Sequence, residues 1–476
     1  MSKFTSNPTY LWRKIFSLGA RRVLLLTTAF IFWWLLTMPT PEGLTLIGQR
    51  AIAVFAVCLI LWVFAPIPLQ ITSLLAIILL PLTGVMESDQ AFALFGNKAV
   101  FFILGAFILA AGMMSSGLST RIALIVLAKF GKTPRMLLLG LFLAPALFSF
   151  FMSEHAVAAM MFPIVLEISR AMRLKPLESS YAKAMIVAPT WGVIIGGVGT
   201  FLGGARNPLA VGILNKATGQ TIGFFEWILA ALPIVIIDLI GAIILLYIFF
   251  KIDVSDTKEA ESVLMTKINE MGEITGREKV ISMIMVVTIF LWVFYSSVFE
   301  IANVALGAVF VMFVLKLVQW KEVEEHVNWG IILMYGGAIS LGFGLEKSGA
   351  ALWVANNFIG NYVSGAFWLI VVIATISLYL TEGMSNSAVV AIMMPIGISL
   401  AKSYGIDPKV ITFSVAIPSG LAFCLPMSTP ACAIAYSSGY VKMKDMVVPG
   451  LILSVISLFA IIITYKFYWP LIGLVN

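Results

Sequence analysis

The segments MSEHAVAAMMFPI (residues 152–164) and MSNSAVVAIMMPI (residues 384–396) each place a polar tripeptide in otherwise apolar sequence. They are identical at 8 of 13 positions, and Ser385 follows Ser153 by 232 residues (385 − 153). Nearly the same offset relates NKAVFFILGAFILAAGMMSSG, from Asn97, to NWGIILMYGGAISLGFGLEKSG, from Asn328. Because separated blocks share one offset, we interpret the chain as two internal repeats.

The composition indicates that the chain is embedded in a lipid bilayer. Of its 476 residues, 61% are hydrophobic and 11% are charged, whereas roughly a quarter of a soluble globular protein is charged. About 20 apolar residues cross a bilayer. Runs that approach this length are 23–38, 46–65, 69–85, 99–114, 228–250, 280–297, 302–318, 366–380 and 448–467. The sequence therefore predicts an all-α polytopic membrane protein whose solvent is the lipid bilayer.

The net charge of +7 does not indicate a nucleic-acid partner, because the basic residues lie mainly at the ends of apolar segments. Five of them precede the first apolar run, namely Lys3, Arg13, Lys14, Arg21 and Arg22. Under the positive-inside rule they place the N-terminus in the cytoplasm of a cell-membrane protein. The first run is too long and too rich in Trp for a signal peptide.

A polar segment, KIDVSDTKEAESVLMTKINEMGEITGREK at 251–279, divides the chain. We predict an N-terminal segment with the first transmembrane helix (1–43), a first repeat (44–250), a cytoplasmic linker (251–279) and a second repeat (280–476). An odd number of spans per repeat would invert one repeat relative to the other. The C-terminus is then expected outside the cell.

A looser pairing sets the Gly-rich run at 196–209 against FCLPMSTPACAI at 423–434. We expect helices interrupted at the tripeptides and again at these Gly/Pro segments. Non-helical backbone survives at membrane depth only where it is buried or lines a wet cavity. The freed N–H groups of the following half-helix suit a carboxylate, and the opposite carbonyl ends suit a small cation. Inverted repeats with paired interruptions indicate a secondary transporter.

Each candidate residue also has a structural interpretation. Ser153, Ser385 and Ser387 can each bond a carbonyl one helical turn back. Glu154 and His155 can neutralise each other or cap a helix, and Arg206 can extend to the membrane interface. Asn386 has several polar groups to satisfy, which favours a binding role. Four further charged residues in apolar sequence are assigned structural roles, Glu382 least firmly: Asp238, Glu346, Lys347 and Glu382.

With both tripeptides and TPACAIAYSSGYVKMKDM (residues 429–446) in view, the chain resembles the divalent anion:sodium symporter family. The family carries a Ser-Asn-Thr tripeptide in each inverted repeat, and TEGMSNSAVVAIMMP (381–395) is similar to the second copy. The resemblance implies a homodimer of protomers with about eleven transmembrane helices, re-entrant hairpins and broken helices. It also implies an elevator-type motion that carries a dicarboxylate. Ser428, Thr429 and Pro430 look like the tip of the second hairpin.

The first repeat departs from the family pattern. Ser153-Glu154-His155 replaces Ser-Asn-Thr, and the paired tip reads Gly204-Ala205-Arg206-Asn207-Pro208. In sodium-coupled members these two segments build one sodium site. The Ala-Arg-Asn-Pro-Leu run looks more like that of the plastid oxoglutarate/malate translocators, which exchange dicarboxylates without sodium. No metal is expected on this interpretation, but Thr381, Ser385, Asn386 and Ser428 resemble the family's second sodium site, which leaves one residual sodium site as an open alternative.

These features predict an antiporter for C4–C5 dicarboxylates (succinate, malate, fumarate, oxoglutarate) that works without sodium, with His155 and Arg206 replacing the sodium charge. A sodium-coupled dicarboxylate or citrate symporter is the alternative. The predicted substrate-binding residues are Ser153, Glu154, His155, Gly204, Arg206, Asn207, Ser385, Asn386, Ser387, Ser428, Thr429 and Pro430. A channel or a membrane enzyme is disfavoured, and with three Cys and two His we expect no cofactor or soft-metal site.

Overall fold

The protein was analysed as a computed structural model that describes residues 8–296, 298–360 and 362–475. The residues in these ranges form helices and connecting turns, without a strand. The helices are α1 (Pro8–Thr37), α2 (Leu46–Phe64), α3 (Leu69–Leu82), α4 (Ser88–Ala93), α5 (Lys98–Ser115), α6 (Leu118–Phe130), α7 (Pro134–Phe148), α8 (Glu154–Ala171), α9 (Ser180–Gly197), α10 (Arg206–Thr218), α11 (Phe224–Phe249), α12 (Lys258–Glu270), α13 (Gly276–Phe294), α14 (Ile301–Val314), α15 (Trp320–His326), α16 (Trp329–Lys347), α17 (Ala350–Ala355), α18 (Ala366–Gly383), α19 (Asn386–Tyr404), α20 (Pro408–Ala416), α21 (Pro430–Ser437) and α22 (Met443–Ile463). Short 3₁₀ turns at Leu94–Gly96 and Pro418–Gly420 and π-turns at Asn356–Gly360 and Thr464–Tyr468 complete them.

The apolar runs of the sequence fold as membrane-crossing helices. In the described part of the chain, 8 helical segments are long and apolar enough to span a bilayer. They run over Gly19–Thr37, Leu46–Phe64, Ser88–Ser115, Phe224–Phe249, Trp329–Lys347, Ala366–Gly383, Asn386–Tyr404 and Met443–Tyr468. Three shorter apolar helices, α3, α7 and α14, accompany them. The predicted all-α membrane fold is confirmed.

The order of the helices repeats. Helices α2 to α11 correspond one by one to α13 to α22, and α4 and α15, like α8 and α19, begin 232 residues apart (320 − 88; 386 − 154). The offset falls to 219 at α11 and α22 (443 − 224), because α20, α21 and the connection before α20 are shorter than their counterparts. The internal repeat inferred from the two tripeptides therefore extends over ten helices in each half.

The first tripeptide lies at the turn of a helical hairpin formed by α7 and α8. The Thr257 hydroxyl donates to the carbonyl of Gly131, just before α7. Lys267 pairs with Glu167, near the end of α8, at 2.7 Å. Both contacts come from the central linker, so the outer ends of α7 and α8 lie on the same side of the molecule. This hairpin enters the membrane and returns.

The second tripeptide lies at the turn of a hairpin formed by α18 and α19. Tyr404, at the end of α19, donates its hydroxyl to the carbonyls of Gly360 (3.0 Å) and Val363 (2.6 Å), which precede α18. Lys402 pairs with Glu346 at the far end of α16, at 2.7 Å.

The two hairpins enter from opposite sides. Arg277, at the end of the linker, pairs with Glu322 of α15 at 2.9 Å, so α15 lies on the linker side. Helix α16 follows α15 and spans Trp329–Lys347, a length of about 28 Å at 1.5 Å per residue. That length matches the hydrocarbon core of a bilayer. The base of the second hairpin, at the far end of α16, is thus opposite the linker, as inverted repeats require.

One assignment from the sequence is corrected. The tripeptides are hairpin turns and not interruptions of a continuous helix, and the Gly/Pro segments are not hairpin tips. Residues 198–205 instead separate α9 from α10, and residues 417–429 separate α20 from α21. The first break packs directly against the first hairpin turn. Gly203 of the break lies so close to the Ser149 carbonyl, at the end of α7, that a Cβ would overlap it. Each break is held against the turn of its neighbouring hairpin.

Candidate functional site

A cavity of about 1100 Å³ lies where both hairpin turns meet both helix breaks. Ten of the twelve predicted binding residues line it: Ser153, Glu154, His155, Arg206, Ser385, Asn386, Ser387, Ser428, Thr429 and Pro430. Gly204 and Asn207 are not among the lining residues, whereas their neighbours Gly203 and Ala205 are. Asn207 is fully buried and donates to the carbonyls of Gly197 (3.1 Å) and Thr200 (2.6 Å), which closes the first break.

Four helices begin at this cavity. These are α8 and α19 after the hairpin turns, and α10 and α21 after the breaks. Ser153 caps α8, with its hydroxyl accepting from the Ala156 N–H at 3.4 Å, and Thr429 caps α21 through the Cys432 N–H at 3.1 Å. Ser385 makes no such bond at the start of α19. Helix N-termini carry partial positive charge and free N–H groups, so their convergence favours an anion.

A buried ion pair crosses the first repeat. Arg206 Nη1, at the start of α10, lies 3.1 Å from Glu154 Oε2, at the start of α8. The two residues are 1% and 5% exposed, respectively. The Glu154 N–H also donates to the Gly203 carbonyl at 2.9 Å. The charge of Arg206 is therefore balanced inside the protein, and Arg206 is not the free fixed cation that the sequence suggested.

The guanidinium of Arg206 also reaches the second repeat. It lies against Gly420 in the second break, where any side chain would overlap it. Glycine at position 420 thus leaves room for the guanidinium where the two breaks pack together. The sequence held no signal for this contact, because it joins residues from different repeats that no spacing relates.

Asn386 connects the two hairpin turns. The orientation of its amide that satisfies its neighbours has Nδ2 donating to Thr381 Oγ1 (2.7 Å) and to the Ser428 carbonyl (3.1 Å), while Oδ1 accepts from Arg206 Nη1 (3.3 Å). In the opposite orientation Nδ2 lies 3.5 Å from Glu154 Oε1. In either orientation the Asn386 amide therefore contacts both repeats: Thr381 of the second repeat in both, with Arg206 of the first repeat in one orientation and Glu154 in the other.

Neutral oxygen atoms cluster beside Asn386. The Thr381 hydroxyl donates to the Ser419 carbonyl at 2.6 Å, and the Ser428 carbonyl lies on the other side of the amide. Thr381 and Ser419 are fully buried. These groups include three of the four residues that resemble the family's second sodium site, and Ser419 adds a carbonyl oxygen that the sequence did not identify. Hydroxyl, carbonyl and amide oxygens are the ligands that hard cations prefer.

Glu382, to which the sequence analysis assigned a structural role least firmly, contacts the second break. Its carboxylate accepts from three consecutive backbone N–H groups of the second break, those of Phe423 (2.8 Å), Cys424 (3.1 Å) and Leu425 (3.1 Å). In the first repeat the Thr200 hydroxyl serves this purpose by accepting from the N–H groups of Leu202 and Gly203. Glu382 is thus a positioning residue that fixes the second break against its hairpin.

The cavity extends toward the linker side. Gln70 of α3 and residues 325–330, from the end of α15 to the start of α16, line it there. Sequence reasoning missed these residues because they lie far from both tripeptides along the chain. His155 lines the cavity and is partly buried. A ligand can therefore reach both hairpin turns from the linker side.

The fold and the site define a polytopic membrane protein of inverted repeats with a binding cavity at their centre. The family described as "Sodium:sulfate symporter transmembrane region" matches residues 20–475. The chain belongs to this family.

Curated relatives extend over almost the whole chain. The "Sodium-dependent dicarboxylate transporter SdcS" of Staphylococcus saprophyticus is 29% identical over 90% of this chain and 88% of its own length. The protein of the same name from Staphylococcus aureus is 29% identical over 97% of this chain and 93% of its own. Among solved structures, the Alcanivorax borkumensis YdaH transporter matches with a TM-score of 0.54 at 14% identity, over 80% of this chain and 88% of that chain. This last likeness concerns the fold alone.

Proposed function

We propose that the protein is a secondary transporter that carries a dicarboxylate across the membrane together with sodium. The observation that carries this proposal is the convergence of four helix N-termini from two inverted repeats on one cavity. Two N-termini from each repeat suit the two ends of a dianion. The relatives named as sodium-dependent dicarboxylate transporters support both the substrate and the coupling ion.

Sodium would bind in the second repeat. Thr381 Oγ1 and the carbonyls of Ser419 and Ser428 supply neutral oxygens, and the Asn386 amide lies between them. When Nδ2 of Asn386 points at these oxygens, its N–H groups occupy the position of a cation. Rotation of the amide would present Oδ1 to sodium and turn Nδ2 toward Glu154. Sodium binding in the second repeat is thereby linked to the ion pair of the first.

Sodium-independent exchange of dicarboxylates is the second candidate. It is favoured by the Arg206–Glu154 pair, because both residues belong to the segments that, by the family resemblance, build one sodium site in sodium-coupled members. The pair is neutral overall, however, so it supplies no net charge to compensate a dianion. The relatives and the oxygen cluster around Asn386 favour sodium coupling, and we place exchange second for that reason.

Further features belong to the same proposal. We propose that the two hairpins and two broken helices move together in an elevator-type motion. The N-terminus would lie in the cytoplasm and the C-terminus outside the cell membrane, with boundaries near residues 43, 250 and 279. A homodimer follows from the family resemblance. Ser153, His155, Ser385, Ser387 and Thr429 are the groups that we expect to contact the carboxylates.

The test is uptake of labelled succinate into proteoliposomes. A sodium gradient is expected to drive uptake into empty vesicles, and replacing sodium with choline should abolish it. Uptake that needs preloaded dicarboxylate and is unchanged in choline would overturn sodium coupling and establish exchange. Recovery of chemically unaltered succinate, together with saturation and counterflow, separates a carrier from an enzyme or a channel.

A further inference from the structure

A second cavity, of about 490 Å³, lies at the linker-side boundary of the membrane. It is lined by Arg135, in the first turn of α7, and by Tyr247, Phe250, Lys251 and Ile252 at the end of α11. None of these residues lines the central cavity. The second cavity is thus a separate site that the transport proposal does not use.

The second cavity carries uncompensated positive charge. Arg135 and Lys251 are exposed, and neither takes part in an ion pair among the residues that the structure describes. The carboxylate of Asp253 lies two residues away but is engaged at the start of α9, where it accepts from the N–H groups of Ser180 (2.8 Å) and Tyr181 (2.9 Å). An anion entering the cavity would therefore meet two cations.

The backbone around the second cavity is held in place. The Tyr181 hydroxyl donates to the Pro134 carbonyl at 2.8 Å, and the Tyr247 hydroxyl donates to the Arg135 carbonyl at 3.1 Å. The Lys251 N–H donates to the Ser180 hydroxyl at 2.8 Å. The backbone from which both cationic side chains project is thus held by hydrogen bonds.

An apolar ridge leads away from the second cavity along α11. Ile236, Ile240, Ile244 and Ile248 follow at intervals of four residues and are 46%, 55%, 52% and 67% exposed. Residues four apart lie on one face of a helix. Because α11 spans the membrane, this ridge contacts lipid, and it ends beside Tyr247 and Lys251. Tyrosine is typical of the boundary between acyl chains and head groups.

We propose that this second cavity binds an anionic phospholipid of the linker-side leaflet. Arg135 and Lys251 contact the phosphate, which accepts hydrogen bonds from both cations. The acyl chain lies along the isoleucine ridge. Inorganic phosphate shares the head-group chemistry, but only a lipid uses both the cations and the ridge, and that combination favours the lipid.

Lipid retention by the purified full-length protein tests the proposal, measured by native mass spectrometry after incubation with phosphatidylglycerol or phosphatidylcholine. Wild-type protein should retain phosphatidylglycerol in preference to phosphatidylcholine. The double variant Arg135→Gln/Lys251→Gln should lose about tenfold in phosphatidylglycerol affinity, since basic residues near the surface contribute substantially to binding anionic lipid. The matched control Lys258→Gln/Lys444→Gln removes two other exposed cations that take part in no ion pair among the described residues, and it should bind like wild type.

Two outcomes would overturn the proposal: equal retention of both lipids by the wild type, or undiminished phosphatidylglycerol retention by the double variant. A third arm of the experiment adds inorganic phosphate, to distinguish a site for free phosphate from a site for lipid. Displacement of phosphatidylglycerol by phosphate at equal concentration would show an anion site that does not select lipid. Unfolding temperature and succinate uptake in phosphatidylcholine vesicles should match wild type in both double variants, which excludes misfolding as the cause of lost lipid.

Discussion

Glu154 and Asn386 occupy equivalent positions in the two repeats (386 − 154 = 232), and both face the same atom. Arg206 Nη1 lies 3.1 Å from Glu154 Oε2 and 3.3 Å from the amide oxygen of Asn386. The two hairpin turns enter from opposite sides of the membrane and are thus joined by one guanidinium. The two residues therefore have equivalent positions but different charges, because the first repeat carries an acid where the second carries an amide.

Removing the guanidinium should destabilise the whole protein. Arg206→Gln leaves the Glu154 carboxylate buried without its cation, which costs about 3–5 kcal/mol of unfolding free energy. The double variant Glu154→Gln/Arg206→Gln should recover most of this loss, because no charge is left unpaired. Thermal unfolding in detergent measures both. Lys98→Gln is the control, since its pair with Glu300 is exposed and is worth about 0–1 kcal/mol. Equal destabilisation by Arg206→Gln and Lys98→Gln would contradict this account.

Loss of the Thr381 hydroxyl should weaken sodium dependence. Thr381→Val keeps the shape of the side chain but removes the oxygen that lies between Asn386 and the Ser419 carbonyl. The sodium concentration for half-maximal uptake should rise about tenfold, with a smaller change in succinate KM. Thr375→Val on the same helix removes a hydroxyl that bonds only the Val371 carbonyl, and it should leave both constants unchanged. Unaltered sodium dependence in Thr381→Val would remove this residue from the cation site.

The sequence predicted the membrane class, the two repeats and ten of the lining residues, because each depends on composition or on a local motif. The roles of hairpin and break could not be assigned. The sequence around Ser153 fits a hairpin turn and an interrupted helix equally well. The contacts of Glu167 and Gly131 with the linker show that it is a hairpin turn. The charge state of the site was also hidden, since the Arg206–Glu154 pair spans 52 residues (206 − 154).

Glu382 should be needed for its charge as well as its shape. Glu382→Gln replaces one carboxylate oxygen with an NH₂ group that faces backbone donors, so at least one N–H of residues 423–425 loses its acceptor. Hydrogen bonds to charged groups contribute about 1.5–3 kcal/mol each, and we expect destabilisation of that order together with slow uptake. Glu346→Gln, which breaks an exposed pair with Lys402, is the control. Normal uptake by Glu382→Gln at wild-type stability would show that the second break keeps its geometry unaided.

Asp253 should make stability depend on pH in the acidic range. Partial desolvation acts to raise the pKa of its carboxyl, but hydrogen bonds from Tyr181, Ser180 and Ser179 outweigh this and hold the pKa below the ordinary value of 3.8. A carboxyl with a depressed folded-state pKa contributes stability above its unfolded pKa and loses that stability as pH falls through the folded one. Asp253→Asn should therefore lower the unfolding free energy by about 0.3–1 kcal/mol at pH 7, as for an exposed, solvent-screened anion at a helix N-terminus. The difference from wild type should shrink below about pH 4 in thermal unfolding scans, and a difference that stays constant from pH 7 to pH 3 would show that the charge of Asp253 does not stabilise α9.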